Sequence, residues 1–588
     1  MTQPTQTIQA IAVSPGIAIG RVLRLRSHSH LLEPEPHKLE PGEVESELNR
    51  FHAAQELTRK QLTELRERLR ARLNSQDADI FEAHLLLVDD KMFVGAVEKG
   101  IREDLYTADY ALYQAAEHFA AVFNGMEDEY LRERGSDIRD VAARIMDNLS
   151  EAHNHEIGLD DRRIIVGSSL SPSETAQLDQ SKVLGFAVET GSATCHTAIL
   201  ARSMKLPAVV GIPPELPESL SAADKLILDG YTGKIIINPD ARTEEAYRLK
   251  AEAAGALYNK LEQEKALRPE TTDGFMIQLA ANLDTPEKID EVRQSGACGI
   301  GLFRTEYLFM NRLKVPDEET QLDVYKNLLV ASGEHPVIVR TLDVGGDKLN
   351  SNLYRAAEQN PFLGLRGIRL GLHERRDLLE TQLRALLRAG IYGNLRVMLP
   401  MVSSVQEVQD VREILDQLTA QLDREGKEHV SRLSLGVMIE TPAAALLADR
   451  FAPLVDFFSI GTNDLVQYTM AIDRSNERVA YLYRPTHPAI LELIRRTVEA
   501  ARQNNIWVSV CGQVAAEVRV VPLLVGLGVH ELSMPPASIP MVRRAIRSMS
   551  MHEAEKTAQE ALRCSNSSDA LALSEALVRR CAPEILNI

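Results

Sequence analysis

The 588-residue sequence predicts a multidomain chain: an α/β domain interrupted by an all-α block, then a (β/α)8 barrel of the TIM type. Three observations predict it. Eight apolar, β-branched runs alternate with helical stretches across the second half. Proline and glycine become sparse between about Pro41 and Leu149, where apolar residues recur at helical spacing. Strand-like text stands on both sides of that block.

Along the chain, IAVSPGIAIGRVLRL alternates apolar and small residues around Pro15-Gly16 and reads as one or two strands. The block 41–149 follows, with Leu62, Leu65, Leu69 and Leu73 on one helical stripe, as in an up-and-down bundle. Strand text returns at RRIIVGSSLSPSETAQL, VLGFAVET, AVVGI and LILDG. Segments 1–40 and 150–240 therefore read as one α/β domain with 41–149 inserted. TEEAYRLKAEAAGALYNKLEQEKALR reads as a linker helix within 241–268. The barrel, 269–588, is expected from FMIQLAANL, GIGLFRTE, PVIVRTLD, LRVMLPMV, LSLGVMIETP, VDFFSIGTND, WVSVCGQVA and HELSMPP.

Composition narrows the function classes. Lys plus Arg total 66 against 84 for Asp plus Glu, a formal charge of −18. Such a surface repels nucleic acid and anionic membrane and suits a basic protein partner. Anionic ligands must be held by a local arginine cluster. No run approaches the ~20 apolar residues of a membrane span. MTQPTQTIQAIAVSPG lacks the regions of a secretory signal. Cysteines 195, 298, 511, 564 and 581 follow neither metal nor disulfide spacing. A cytoplasmic protein with reduced thiols is expected.

Reactive residue types cluster at the C-terminal ends of the barrel strands, where such barrels place their active sites. They are Arg304, Thr305 and Glu306, then Arg340, Glu440, Asn463, Asp464 and Cys511. Arg366 and Arg369 lie in NPFLGLRGIRL, and Arg474 in MAIDRSNE. A single arginine of this kind reads equally as a surface ion pair. Several around one mouth suit a ligand bearing phosphate and carboxylate, since each planar fork grips two oxygens. Glu440 and Asp464 offer hard oxygens for Mg2+. Cys511 reads as core, or as a proton donor or nucleophile beside cations. His196 stands in ETGSATCHTAILAR, where a glycine-bearing loop turns helical, and alone it fits a structural role as well as a nucleophilic one.

GIGLFRTEYLFM, RTLDVGGDK, NPFLGLRGIRL, GVMIETPAA, FFSIGTNDLVQY, VCGQVA, LSPSETAQL and GSATCHTAILAR resemble, in order and along essentially the entire chain, Enzyme I. That family begins the bacterial sugar phosphotransferase system. The resemblance implies an α/β phosphohistidine domain that swivels, an inserted helical docking domain and a phosphoenolpyruvate-binding barrel that dimerises. It implies that Arg304, Arg340 and Arg474 bind phosphate and carboxylate with Arg366 alongside, and that Asn463 and Asp464 complete the ligand site. Glu440 with Asp464 would hold magnesium, and Cys511 would protonate the enolate carbon. His196 resembles the phosphoacceptor, at the positive end of a helix, with Ser171 where a ring-holding threonine is usual. The implied acceptor is the carrier protein HPr. DIFEAHLLLVDD and EDEYLRERGSDIRD resemble its docking helices and bring forward His84, Leu85, Leu87, Leu131 and Arg134, although the leucines read equally as bundle core.

Four positions depart from the family pattern: Ser192 for glycine, Ala193 for arginine, Cys195 for serine and Gln513 for glutamate. Loss of the carboxylate at 513 is expected to favour the Cys511 thiolate, weaken it as an acid and alter the kinetics. These departures keep a regulatory paralogue as an alternative. An enzyme like pyruvate phosphate dikinase ranks lower, because the chain has no room for a nucleotide-binding domain.

Overall fold

A computed structural model describes residues 5–24, 34–40, 42–72, 84–124, 129–150, 161–168, 180–189, 198, 201, 204, 206–309, 314–345, 360–474, 476 and 478–586. The chain divides into two compact units, Met1–Gly255 and Ala256–Ile588.

The first unit holds an eight-stranded sheet. Its strands are β1 (Gln6–Gln9), β2 (Ile11–Ser14), β3 (Ile17–Arg24), β4 (Arg163–Gly167), β5 (Val183–Val188), β6 (Ala208–Val210), β7 (Lys225–Asp229) and β8 (Lys234–Ile237). The order is β1-β8-β7-β3-β4-β5-β6-β2, so strands from before and after the helical segment share one sheet. β3 to β6 run parallel, and the remaining pairings are antiparallel. The two-residue side-chain period is visible on β4. Ile165 packs on one face with Val13, Phe186 and Val210, while Ile164 and Val166 pack on the other with Val22 and Leu226. IAVSPGIAIGRVLRL forms two strands, within the one or two expected, and a further strand, β1, precedes it. β2 and β3 are parted at Pro15-Gly16, Gly16 taking φ +129, and β1 and β2 pair at opposite ends of the sheet order.

The helical segment comprises Val44–Arg72, Lys91–Arg102, Ala108–Asn124 and Glu129–Leu149. Leu62 from the predicted stripe is buried with Phe51, Phe93, Val97, Ile101, Leu112 and Ile145, while Leu73 lies outside the described residues. Asp90 caps its helix by accepting the N–H groups of Met92 and Phe93, both at 2.9 Å.

The second unit closes into an eight-stranded barrel. Its strands are β9 (Gln278–Leu283), β10 (Ile300–Phe303), β11 (Val337–Arg340), β12 (Leu395–Leu399), β13 (Ser434–Ile439), β14 (Phe457–Ile460), β15 (Trp507–Val510) and β16 (Glu531–Met534). Every neighbouring pair is parallel, β16 closing on β9. Each strand falls within one of the eight predicted runs. Strands buried on both faces explain why those runs are continuously apolar rather than alternating. Leu302, Ile338, Met398, Met438, Phe457 and Cys511 form an inner cluster. Trp507 stacks on Phe457 with centroids 4.8 Å apart. A much larger cluster packs the strands' outer faces against the surrounding helices.

The predicted linker forms helix Ala241–Glu264. Its last turns belong to the barrel unit: Leu257 and Leu261 are buried with Ala545, Val578 and Ile585. Among the described residues, no helix is long and apolar enough to cross a membrane.

Candidate active site at the barrel mouth

The strand ends surround one cavity of about 600 Å3, lined by Arg304, Arg340, Arg366, Glu440, Asn463, Asp464, Arg474 and Cys511. The eight barrel residues to which the Enzyme I resemblance gives a role are thus brought together, while Thr305 and Glu306 stand behind the lining. Arg369 is not among the lining residues and donates to Ser403 Oγ at 3.5 Å.

Arg340 ends β11 and Arg366 precedes helix Ile368–His373; both are buried. They share one carboxylate. Arg366 grips Asp343 through Nε to Oδ1 at 3.2 Å and Nη2 to Oδ2 at 2.8 Å. Arg340 reaches the same Oδ2 through Nη1 at 3.0 Å and donates through Nη2 to Glu306. Burial works against both charges, but the surrounding carboxylates, Asp343 among them, outweigh it and hold both guanidiniums above their ordinary range. Two glycines permit this approach. A Cβ on Gly345 would lie 2.2 Å from Arg366 Cβ, and Gly367 takes φ +58 with Met401 Cβ 2.9 Å from where its own Cβ would stand.

Glu440 follows β13 and is almost fully buried, its Oε1 accepting the Met401 N–H at 2.6 Å. Burial, then the charges of Asp464 and Asp343, push this carboxyl up to about 8 against the opposing pull of Arg340 and Arg366. Asp464 sits in the first turn of helix Thr462–Met470, where the helix dipole favours an anion. Its Oδ2 accepts from Arg366 at 3.4 Å, while buried Oδ1 accepts no hydrogen bond and faces Arg474 Nη2 at 3.9 Å. Two buried carboxyls, Asp464 raising Glu440 and itself carrying an orphaned oxygen, fit a divalent cation. Among the described residues, no group of three or more His, Cys, Asp or Glu gathers for a metal. Magnesium does not require one, because water and ligand oxygens complete its shell.

Asn463 has its amide orientation set by Oδ1, which accepts the Gln513 N–H at 3.0 Å and the Tyr483 hydroxyl at 3.4 Å. Arg474 lies past Ala471, whose φ of +52 ends the helix, and its N–H is held by Gln467 Oε1 at 3.1 Å. Arg304 is more exposed and pairs with Asp284 at 2.9 Å. Cys511 is buried at the end of β15. Burial pushes its thiol up to about 11, against the lowering influence of the Ser459 hydroxyl. With Gln513 in place the group is a protonated thiol near neutrality.

Sequence reasoning missed Asp343 and gave Glu306 no role. Both were signalled by position, Glu306 closing GLFRTE and Asp343 three residues after Arg340.

Three family models match the chain: "PEP-utilising enzyme, N-terminal" over residues 9–134, "PEP-utilising enzyme, mobile domain" over 159–233 and "PEP-utilising enzyme, PEP-binding domain" over 258–551. A phosphoenolpyruvate-protein phosphotransferase of Listeria monocytogenes is 42% identical over 97% of this chain and 98% of its own length. Those of Priestia megaterium and Staphylococcus carnosus are 42% and 40% identical, covering 94% and 97% of this chain and 95% and 98% of their own. The chain belongs to the phosphoenolpyruvate-protein phosphotransferase family.

Other sequence-predicted residues of this family member lie elsewhere. Ser171, Ser192, Ala193, Cys195 and His196 fall outside the described residues, and Leu131 and Arg134 lie on helix Glu129–Leu149 with side chains outside them. The docking candidate His84 is fully buried, with Nε2 3.4 Å from Asp137 and Nδ1 3.6 Å from Asp140. Leu85 and Leu87 are half-buried against the bundle core, whereas Leu86 between them is 74% exposed.

Proposed function

We propose that this chain takes the phosphoryl group of phosphoenolpyruvate onto its own His196 and passes it to the carrier protein HPr, releasing pyruvate as the first step of sugar phosphotransfer. The observation that carries this reading is the single cavity uniting Arg304, Arg340, Arg366 and Arg474 with Glu440, Asp464, Asn463 and Cys511.

In this reading the four guanidiniums bind and orient the phosphate and carboxylate of the substrate. Glu306, Asp343 and Asp464 offset much of that positive charge, and Glu440, which holds its proton up to about 8, joins them when a cation displaces it, so anion binding gains from a cation at the carboxylates. Mg2+ held by Glu440 and Asp464 would spread the charge of the transferring phosphoryl oxygens. A neutral imidazole nitrogen of His196 takes the phosphorus as the bond to the enol oxygen breaks. The enolate of pyruvate that remains needs a proton at its methylene carbon. Cys511, a thiol at neutral pH, supplies it from Sγ. His196 lies outside the barrel segment, so its module must approach the mouth and then leave it for HPr. The reading extends to a cytoplasmic homodimer, as the Enzyme I resemblance implies.

Pyruvate release tests it. With phosphoenolpyruvate and magnesium alone, the chain should release one burst of pyruvate stoichiometric with the protein, and adding HPr should convert the burst to turnover. Arg340→Lys, which loses the planar fork, should lower kcat/KM by about 100-fold. Steady release without an acceptor, or none at all, would overturn the reading.

A further inference from the structure

Outside the barrel wall, behind the mouth, a line of polar side chains is buried among aliphatic ones. Gln382 lies on helix Arg376–Ala389, where every other buried position is an alanine or a leucine, Leu378, Leu379, Leu383 and Leu386 among them. It is 1% exposed. An amide in such a place costs free energy unless both its ends are paired. Both are. Oε1 accepts the Leu342 N–H at 2.8 Å. Nε2 donates to Thr305 Oγ1 at 3.3 Å and to the Tyr325 hydroxyl at 3.0 Å. Proton directions stay consistent along the line. Thr305 donates onward to the Arg340 carbonyl at 3.0 Å, and Tyr325 to Gln321 Oε1 at 3.1 Å. Thr305, Gln321 and Tyr325 are all fully buried.

What matters is where the two ends of the amide land. Thr305 stands between Arg304, on the cavity, and Glu306, which pairs with Arg340. Leu342 directly precedes Asp343, the carboxylate shared by Arg340 and Arg366. A leucine would pack this helix position and remove the amide's two bonds to those loops, leaving the Thr305–Arg340 bond alone to tie them.

We propose that Gln382 is a positioning residue: its buried amide ties the loop after β10 to the loop after β11 and so sets the spacing of Arg304, Arg340 and Arg366 for the substrate's anionic groups. It touches no substrate and acts only through the two loops. The inference rests on the reading of the mouth given above. A displacement of about 1 Å at such groups is enough to lose much of their preorganised effect.

The test uses the full chain and measures KM for phosphoenolpyruvate, KM for HPr and the melting temperature. Gln382→Leu should raise KM for phosphoenolpyruvate about tenfold and leave KM for HPr unchanged. Leu383→Ala, a truncation beside it in the same core, should lower the melting temperature while leaving both KM values within about twofold. If Gln382→Leu shifts KM no further than Leu383→Ala does, Gln382 serves packing alone and the proposal is wrong. Thr305→Val cuts the Gln382 link from the loop side together with the Thr305–Arg340 bond that continues it, and Thr305→Ser restores the hydroxyl for both. Should Gln382→Leu fail to fold, the valine variant must raise KM and the serine variant must not; equal values overturn the proposal. Arg304→Gln, run in parallel, separates the two readings. If it too leaves KM untouched, the account of the mouth fails. If it raises KM while Gln382→Leu and Thr305→Val do not, only the role of Gln382 fails.

Discussion

At the barrel mouth each functional side chain owes its state to a neighbour that sequence spacing barely reveals. Arg340 and Arg366 remain charged while buried because carboxylates surround them, Glu306 beside Arg340, Asp464 beside Arg366 and Asp343 shared between the two. Removing one partner of such a group is far costlier than the net worth of the pair, because a buried charge is left uncompensated. Cys511 is the converse case, a thiol protected from ionisation by burial. Its proton is held up to a pKa of about 11, so thiolate is the minor species through the neutral range and increases as pH rises toward that value. Alkylation of Cys511 by iodoacetamide, followed by peptide mass spectrometry, should accelerate about tenfold per pH unit from 7 to 10. A plateau near pH 8.5, the behaviour of a free thiol, would contradict this.

The barrel strands were readable because strands buried on both faces must be apolar throughout, and the residues ending them carry the chemistry. Less was readable where contacts cross between elements. Glu306 and Gln382 act through partners tens of residues away, and Asp343 joins its near neighbour Arg340 to the distant Arg366, a link that no local spacing encodes. Leucine periodicity in the helical segment identified helices but not which leucine faces water. HLLLV forms a helical stretch at residues 84–88 in which His84 is buried and Leu86 exposed. If this stretch docks HPr, Leu86 is its apolar contact. Leu86→Asp should then raise KM for HPr by tenfold or more while KM for phosphoenolpyruvate and the melting temperature stay unchanged. An unchanged KM for HPr would remove this stretch from the docking surface.

Stability of the folded chain carries a pH signature of its own. Glu531 opens β16 and is buried. Burial pushes its carboxyl up to about 7, with Arg396 opposing. A carboxyl whose folded pKa lies above its unfolded value of 4.5 binds its proton more tightly in the folded state. Its favourable contribution is therefore complete below pH 4.5, declines between about 4.5 and about 7, and is absent above. The difference amounts to about 3 kcal/mol at 1.36 kcal/mol per pKa unit. Glu531→Gln cannot ionise, so its stability relative to the parent chain should improve by about that amount between pH 4.5 and pH 8, measured by denaturant unfolding. A constant difference across that range would show that Glu531 titrates as an exposed carboxyl.

The acceptor itself offers the most direct check. The chain is incubated with phosphoenolpyruvate and magnesium, digested under alkaline conditions that preserve phosphohistidine, and mapped by mass spectrometry beside His196→Ala. The account predicts one acid-labile phosphoryl group on the peptide containing His196, absent from the variant and discharged when HPr is added. Phosphate on any other residue, or retained in His196→Ala, would contradict it.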